Sequence, residues 1–201
     1  NGTIFRYPLR TIQDAKDSEI SKNEYNPTKI LNMFNKFYEN ESINCLLFLK
    51  SVENIKFFEL RKNESKPRLL YSIEIVNATE VREKRDLIAR RIGPLLKDLE
   101  KKKLSRDPTL ESVYVVTFRQ QKGNEEPKES QWIIFGWLGD LNATSAYFNE
   151  TYKKNIIEYK LIPNVGIAIP LNQPEIIGRL FCYLPIPMST PFRASVHGHF
   201  A

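Results

Sequence analysis

The stretch LFCYLPIPMSTPFRASVHGHFA, residues 180–201, sets the character of the chain. Its apolar run, 180–184, is closed by Pro185 and Pro187. Proline cannot donate to a sheet ladder, so the run reads as a buried strand whose exit is turned out of the sheet. Residues 188–195 supply turn formers. Residues 196–200 resume an extended run with His197 and His199 on one face and Val196, Gly198 and Phe200 on the other, because side chains alternate along a strand. No cap or polar tail closes the sequence at Ala201 and no Met opens it at Asn1, so the chain is expected to be a piece of a longer protein.

Outward from that stretch, 201 residues of which 41% are hydrophobic suffice for one domain with a real core. Thirty basic against 24 acidic residues give a net charge of +6, a mixed surface rather than a basic arm. Cys45 and Cys182 each sit in an apolar run, CLLFL and LFCYL, and are expected to be buried free thiols rather than a disulfide framework. Asn-x-Ser/Thr triplets begin at Asn1, Asn40, Asn63, Asn77, Asn142 and Asn149. These residue types are also what turns and helix starts demand, which is the reading taken here. No apolar stretch approaches the ~20 residues of a membrane helix, and the parent protein is read as soluble and intracellular.

In chain order, residues 3–10 alternate, with Phe5, Tyr7 and Leu9 opposite Ile4, Arg6, Pro8 and Arg10, and predict a half-buried edge strand. Asn26-Pro27 predicts a helix start, followed by an apolar stripe from Ile30 to Tyr38. Residues 45–52, 55–62 and 68–76 read as three strands of an antiparallel meander. Asn77, with Glu80 three residues on, has capping-box spacing. The helix it opens carries Val81, Ile88, Ile92, Leu95, Leu96 and Leu99 inward, and Gly93-Pro94 is expected to kink or split it. Residues 112–119 and 131–138 predict central strands from their β-branched and aromatic content, 142–159 a helix, and 165–171 a short strand. The fold class is α+β, a mostly antiparallel sheet with helices packed on it.

Candidate chemistry is sparse. Eight glycines include no Gly-x-Gly, so no backbone cradle for phosphates is present. His197 and His199 share a face, but a catalytic metal wants a third ligand and a second shell, so they read as packing or hydrogen-bonding residues. Lysines 101–103 oppose a helix dipole and lack interleaved aromatic platforms, which disfavours a nucleic acid as partner. No catalytic, cofactor-binding or metal-binding residue is assigned. The competing reading is a basic nucleic-acid-binding module or a protein-interaction scaffold.

Four motifs in order, NGTIFRYPLRT (1–11), SEIS (18–21), LLFLKSVENI (46–55) and LPIPMSTPFRASVHGHFA (184–201), resemble the large internal repeats of the sacsin family. The resemblance implies a segment that follows a heat-shock-chaperone-like ATP-binding domain. Residues 1–12 would be the last strand of that domain, and 13–201 a middle or coupling domain comparable to that of gyrase, heat-shock, histidine kinase and mismatch-repair ATPases. It further implies ATP and magnesium in the full repeat, none held by these residues. It makes Arg6, Arg10, Arg193, His197 and His199 candidates for sensing the nucleotide across the junction. Its implied partners are the upstream domain of the same chain and a chaperone of the seventy-kilodalton heat-shock class, and its implied place is the cytoplasm.

Overall fold

A computed structural model describes residues 3, 5–101, 110–152, 156, 161–173 and 176–198. The chain divides into two compact units, 1–42 and 43–201. The domain boundary expected after residue 12 falls inside the first unit.

In the first unit, residues 5–10 form no strand. Phe5 and Tyr7 are 72% and 81% exposed. Alternation licenses a strand only when a neighbour completes its ladder, and here a single backbone bond among the described residues, from the Tyr25 amide to Arg10 O at 3.2 Å, makes no ladder; the half-buried edge strand is therefore corrected to an extended segment outside the sheet. Helix α1 (Ile12–Asp17) follows, closed by a capping box in which Thr11 and Asp14 satisfy each other's backbone amides. Helix α2 (Pro27–Asn40) begins as expected: the Asn26 side chain accepts from the Lys29 amide at 2.9 Å, and Pro27 occupies the first position.

The second unit opens with α3 (Ser42–Leu47) and contains β1 (Asn54–Glu59), β2 (Arg68–Ile75), α4 (Ala78–Glu100), β3 (Leu110–Lys122), β4 (Lys128–Leu138), α5 (Leu141–Tyr152), β5 (Asn164–Pro170), β6 (Arg179–Cys182), β7 (Leu184–Ser189) and β8 (Ser195–His197). The strands make one eight-stranded sheet in the order β1-β2-β3-β4-β5-β8-β6-β7. All described pairings are antiparallel except that of β6 with β8. The α+β class and the central places of β3 and β4 are as expected.

One face of this sheet is the core. Ile73, Ile75, Val116, Phe118, Trp132, Ile134, Ala168 and Phe181 are buried there together with Leu46 and Leu47 of α3 and Val81 of α4. A second cluster joins the end of α4 (Leu95, Leu99) to Leu138, Leu141, Ile156 and Ile162. The opposite face exposes Val113, Phe135, Trp137 and Ile167, so period-2 alternation holds but both faces are apolar.

Several expected elements differ. Residues 45–52 are not a strand: Leu46 and Leu47 are consecutive and both fully buried, which a strand's alternation forbids and a helix turned onto the sheet allows. The predicted meander is thereby reduced to the β1-β2 hairpin, with β3 added beside β2. Helix α4 is not split at Gly93-Pro94. A proline crowds the Cβ and backbone of the residue before it, and Gly93 has no Cβ to be crowded. Asn77 makes no capping bond; its amide donates to the Val115 carbonyl at 2.9 Å and its oxygen accepts from the Thr117 amide at 3.0 Å, tying the helix start to β3. Pro185 and Pro187 do not eject the chain. They lie within β7, whose outer position in the sheet leaves their missing donors without consequence.

Gly178 closes the loop between β7 and β8. Its amide donates to Phe192 O at 3.1 Å and its carbonyl accepts from the Thr190 amide at 2.8 Å. A Cβ at this position would collide with the Ala194 carbonyl and the Thr190 hydroxyl. Gly178→Ala is expected to lower stability by about 1–3 kcal/mol in urea unfolding through this overpacking against backbone. Gly123→Ala would act differently, through its φ of +54° in open space, and is expected to cost about 1 kcal/mol.

Candidate functional site

The site begins with an arginine on an apolar stripe. Arg85 follows Val81 by four residues and precedes Ile88 by three, so helical spacing turns it toward the sheet rather than onto the charged outer face of α4. It is only 8% exposed. Its guanidinium donates to three carbonyls: Leu49 O at 2.5 Å, Leu46 O at 2.8 Å and Leu47 O at 3.0 Å. Its Nε reaches the Tyr114 hydroxyl at 3.4 Å. Helix α3 leaves its last carbonyls without intrahelical partners, and Arg85 satisfies them while meeting the negative end of the helix dipole. Its hydrogen bonds thus go to neutral groups, while Glu53 acts on it only through space.

This clamp fixes the exit of α3 and with it Phe48 and Lys50. The Phe48 ring packs on Phe181 at 5.0 Å and stacks on His197 at 5.2 Å between centroids. Gly166, opposite His197 across the β5-β8 pair, leaves room for that ring: a Cβ there would lie 2.9 Å from Phe48 Cε1.

His197 is 4% exposed. Its Nδ1 lies 3.2 Å from the Tyr183 amide nitrogen and 3.2 Å from Phe181 O. The Tyr183 amide can only donate, and its N–H is directed at Nδ1. Nδ1 is therefore the acceptor in the neutral ring, and the proton sits on Nε2. Tyr183, at the turn between β6 and β7, has φ 63°, an unusual conformation for an aromatic residue. The bond to His197 holds it there, and its ring lies 4.8 Å from the imidazole and 5.7 Å from Lys50 Nζ. Burial, then the neighbouring Cys182, raises the Tyr183 pKa, while a side-chain hydrogen bond with Asn164 opposes the rise. Lys50 is exposed as a residue, yet burial around its ammonium holds its pKa below the ordinary lysine value.

Together these side chains surround a half-open cavity of about 60 Å³, lined among others by Lys50, Lys84, Arg85, Asn164, Tyr183 and His197. Of the residues singled out in the sequence, only His197 is here. Arg193 is exposed in the loop before β8. Arg6 is exposed, and Arg10 donates to Ser21 O at 2.6 Å within the first unit. His199 lies outside the described residues, as do two of the three lysines at 101–103. Among the described residues, no group of three His, Cys, Asp or Glu side chains is placed to hold a metal ion, and no helix is long and apolar enough to cross a membrane.

Comparison with known proteins gives the site its setting. The family described as Sacsin domain matches residues 1–72. Sacsin of Homo sapiens is 25% identical over 195 residues, which is 92% of this chain and 4% of that protein. The chain carries a sacsin-type region. It spans only a small fraction of the sacsin it matches, and no solved structure matches it. Within the sacsin-type region, the family match takes in Phe48 and Lys50 but ends before Arg85, Asn164, Tyr183 and His197, which come from later elements.

Neither cysteine forms a disulfide, as expected, but Cys182 is exposed, against the expected burial. Strand alternation decides it: Phe181 points into the core and Cys182 outward. A thiol reagent applied to the native protein should therefore modify Cys182 rapidly and Cys45, which is half-buried, more slowly; Cys182→Ser should abolish the fast phase. Arg85→Met should destabilise the fold by roughly 3 kcal/mol in denaturant unfolding, because it orphans two buried carbonyls and one partly buried one at about 1–3 kcal/mol each.

Proposed function

We propose that this chain is the coupling segment of a sacsin-type repeat, following an ATP-binding domain in a cytoplasmic chaperone or co-chaperone. It would transmit the nucleotide state of that domain to a change of shape or to engagement of a client. In this reading the segment corresponds to the middle domain of heat-shock-type ATPases, ATP and magnesium are held upstream, and a seventy-kilodalton heat-shock chaperone is a partner. The observation that carries the reading is the similarity to sacsin along 92% of the chain. The buried His197, which fixes the β6-β7 turn through Tyr183, is the kind of pinned element through which a displacement at one end of a sheet reaches a site.

The test uses a longer protein that includes the upstream domain, comparing the parent with Arg6→Ala, Arg10→Ala, Arg193→Ala and His197→Ala. ATP turnover and melting temperature are measured with and without nucleotide, and unfolding midpoints identify any variant that is merely destabilised. At least one arginine variant should lose turnover several-fold, or lose its nucleotide-dependent rise in melting temperature, while keeping its fold. If every variant behaves as the parent does, the segment is an interaction scaffold rather than part of an ATPase machine.

A further inference from the structure

The pocket beside His197 has an unbalanced charge. Its lining includes Lys50, Lys84 and Arg85 and no aspartate or glutamate. Arg85 spends its hydrogen-bond donors on neutral carbonyls, and Glu53, the carboxylate that feels its charge, is itself bonded to Arg82. Neither Lys50 nor Lys84 has an ion-pair partner among the described residues. Glu53, three residues after Lys50, is taken up by Arg82 through two bonds of 2.7 and 2.8 Å. Two ammonium groups from different elements thus face one cavity without a counter-charge, and one of them is partly removed from water, a situation that a bound anion relieves.

The neutral groups point to the same kind of ligand. The Asn164 amide, hydrogen-bonded to Tyr183, and His197 with its proton on Nε2 add polar groups to a lining dominated by cations. The volume of about 60 Å³ has room for a few water molecules or one compact ion, while a base and ribose would have to remain in the open mouth. A phosphate group matches this set better than a carboxylate. It brings up to two negative charges against two lysines, and more acceptor oxygens than a carboxylate offers.

We propose that the cavity lined by Lys50, Lys84, Asn164, Tyr183 and His197 is a binding site for a phosphate group, built from side chains rather than from a glycine loop. The site does not depend on the coupling role: it is a property of residues 43–201, and it takes free phosphate or the terminal phosphate of a nucleotide with the same chemistry.

The test is calorimetric titration of the 201-residue chain with inorganic phosphate, with ATP and with acetate at matched ionic strength, repeated for Lys50→Gln, Lys84→Gln and, as a distant control, Lys56→Gln. Saturable phosphate binding that weakens about tenfold in each pocket variant and is unchanged in the control is the expected result. Tighter binding of ATP than of phosphate, with the same sensitivity to Lys50 and Lys84, assigns the site to a nucleotide's terminal phosphate; equal or weaker binding assigns it to the free ion. No saturation with either, equal binding of acetate, or binding indifferent to both lysines overturns the proposal. Circular dichroism verifies each variant's fold, and since no described hydrogen bond uses the Lys84 side chain, that variant tests the site even if Lys50→Gln disturbs the turn at Tyr183. The chain without the upstream domain is used throughout, so a failure here is separable from a failure of coupling.

Discussion

The second unit depends on one buried guanidinium. Helix α3 is six residues long, too short to persist by its own hydrogen bonds. What keeps its end in place is Arg85, whose donors reach the carbonyls of Leu46, Leu47 and Leu49 from the facing helix. An arginine does this where a lysine would not, because a planar fork of five donors serves three acceptors at once without rearranging. The apolar side chains of α3 supply the complementary half: Leu46 and Leu47 enter the core and Phe48 leans on Phe181 and His197. Polar clamp and apolar contact hold the same short segment from two sides, and the position of Lys50 follows from both.

Much of the sheet was legible in the sequence because its signals are local. The β-branched and aromatic content of residues 112–119 and 131–138 specifies central strands, and Asn26-Pro27 specifies a helix start, without reference to anything distant. The errors cluster where a short apolar segment had to be assigned without its neighbours. CLLFL reads equally as strand or as helix until it is known that Arg85, about forty positions on, accepts the task of capping it. Residues 3–10 carry an alternating pattern, but a pattern is only half of a strand. Pro185 and Pro187 looked like exits because the place of their strand at the margin of the sheet is a tertiary fact.

The site was less legible than the fold. His197 was visible, though as one of a histidine pair rather than as the acceptor that fixes Tyr183. The strained Tyr183 left no trace in composition: nothing in FCYLP marks the tyrosine as the residue that turns the chain. Arg85 did leave one. It stands in step with Val81 and Ile88 on the inward stripe of α4, and a charge in phase with apolar residues is a sign of burial with partners. The cysteines show the same lesson from the other side, since of two similar apolar runs one became a helix with its thiol half-inside and the other a strand whose parity turned its thiol to solvent.

The order of the strands has a consequence for how the chain assembles. Strand β8, three residues long, sits between β5 and β6, and it is the piece through which the β6-β7 hairpin joins the rest of the sheet. As the chain is synthesised, β6 and β7 can pair with each other as soon as both have emerged, but they have no edge to dock on until residues 195–197 arrive. The hairpin then waits as a separate flap with Leu180 and Phe181 uncovered, and one short insertion shuts it like a zip pull. Late, non-local closure of this kind is slow and leaves apolar surface open in the interval. A chain with this strand order is thus most in need of protection just before β8 is made.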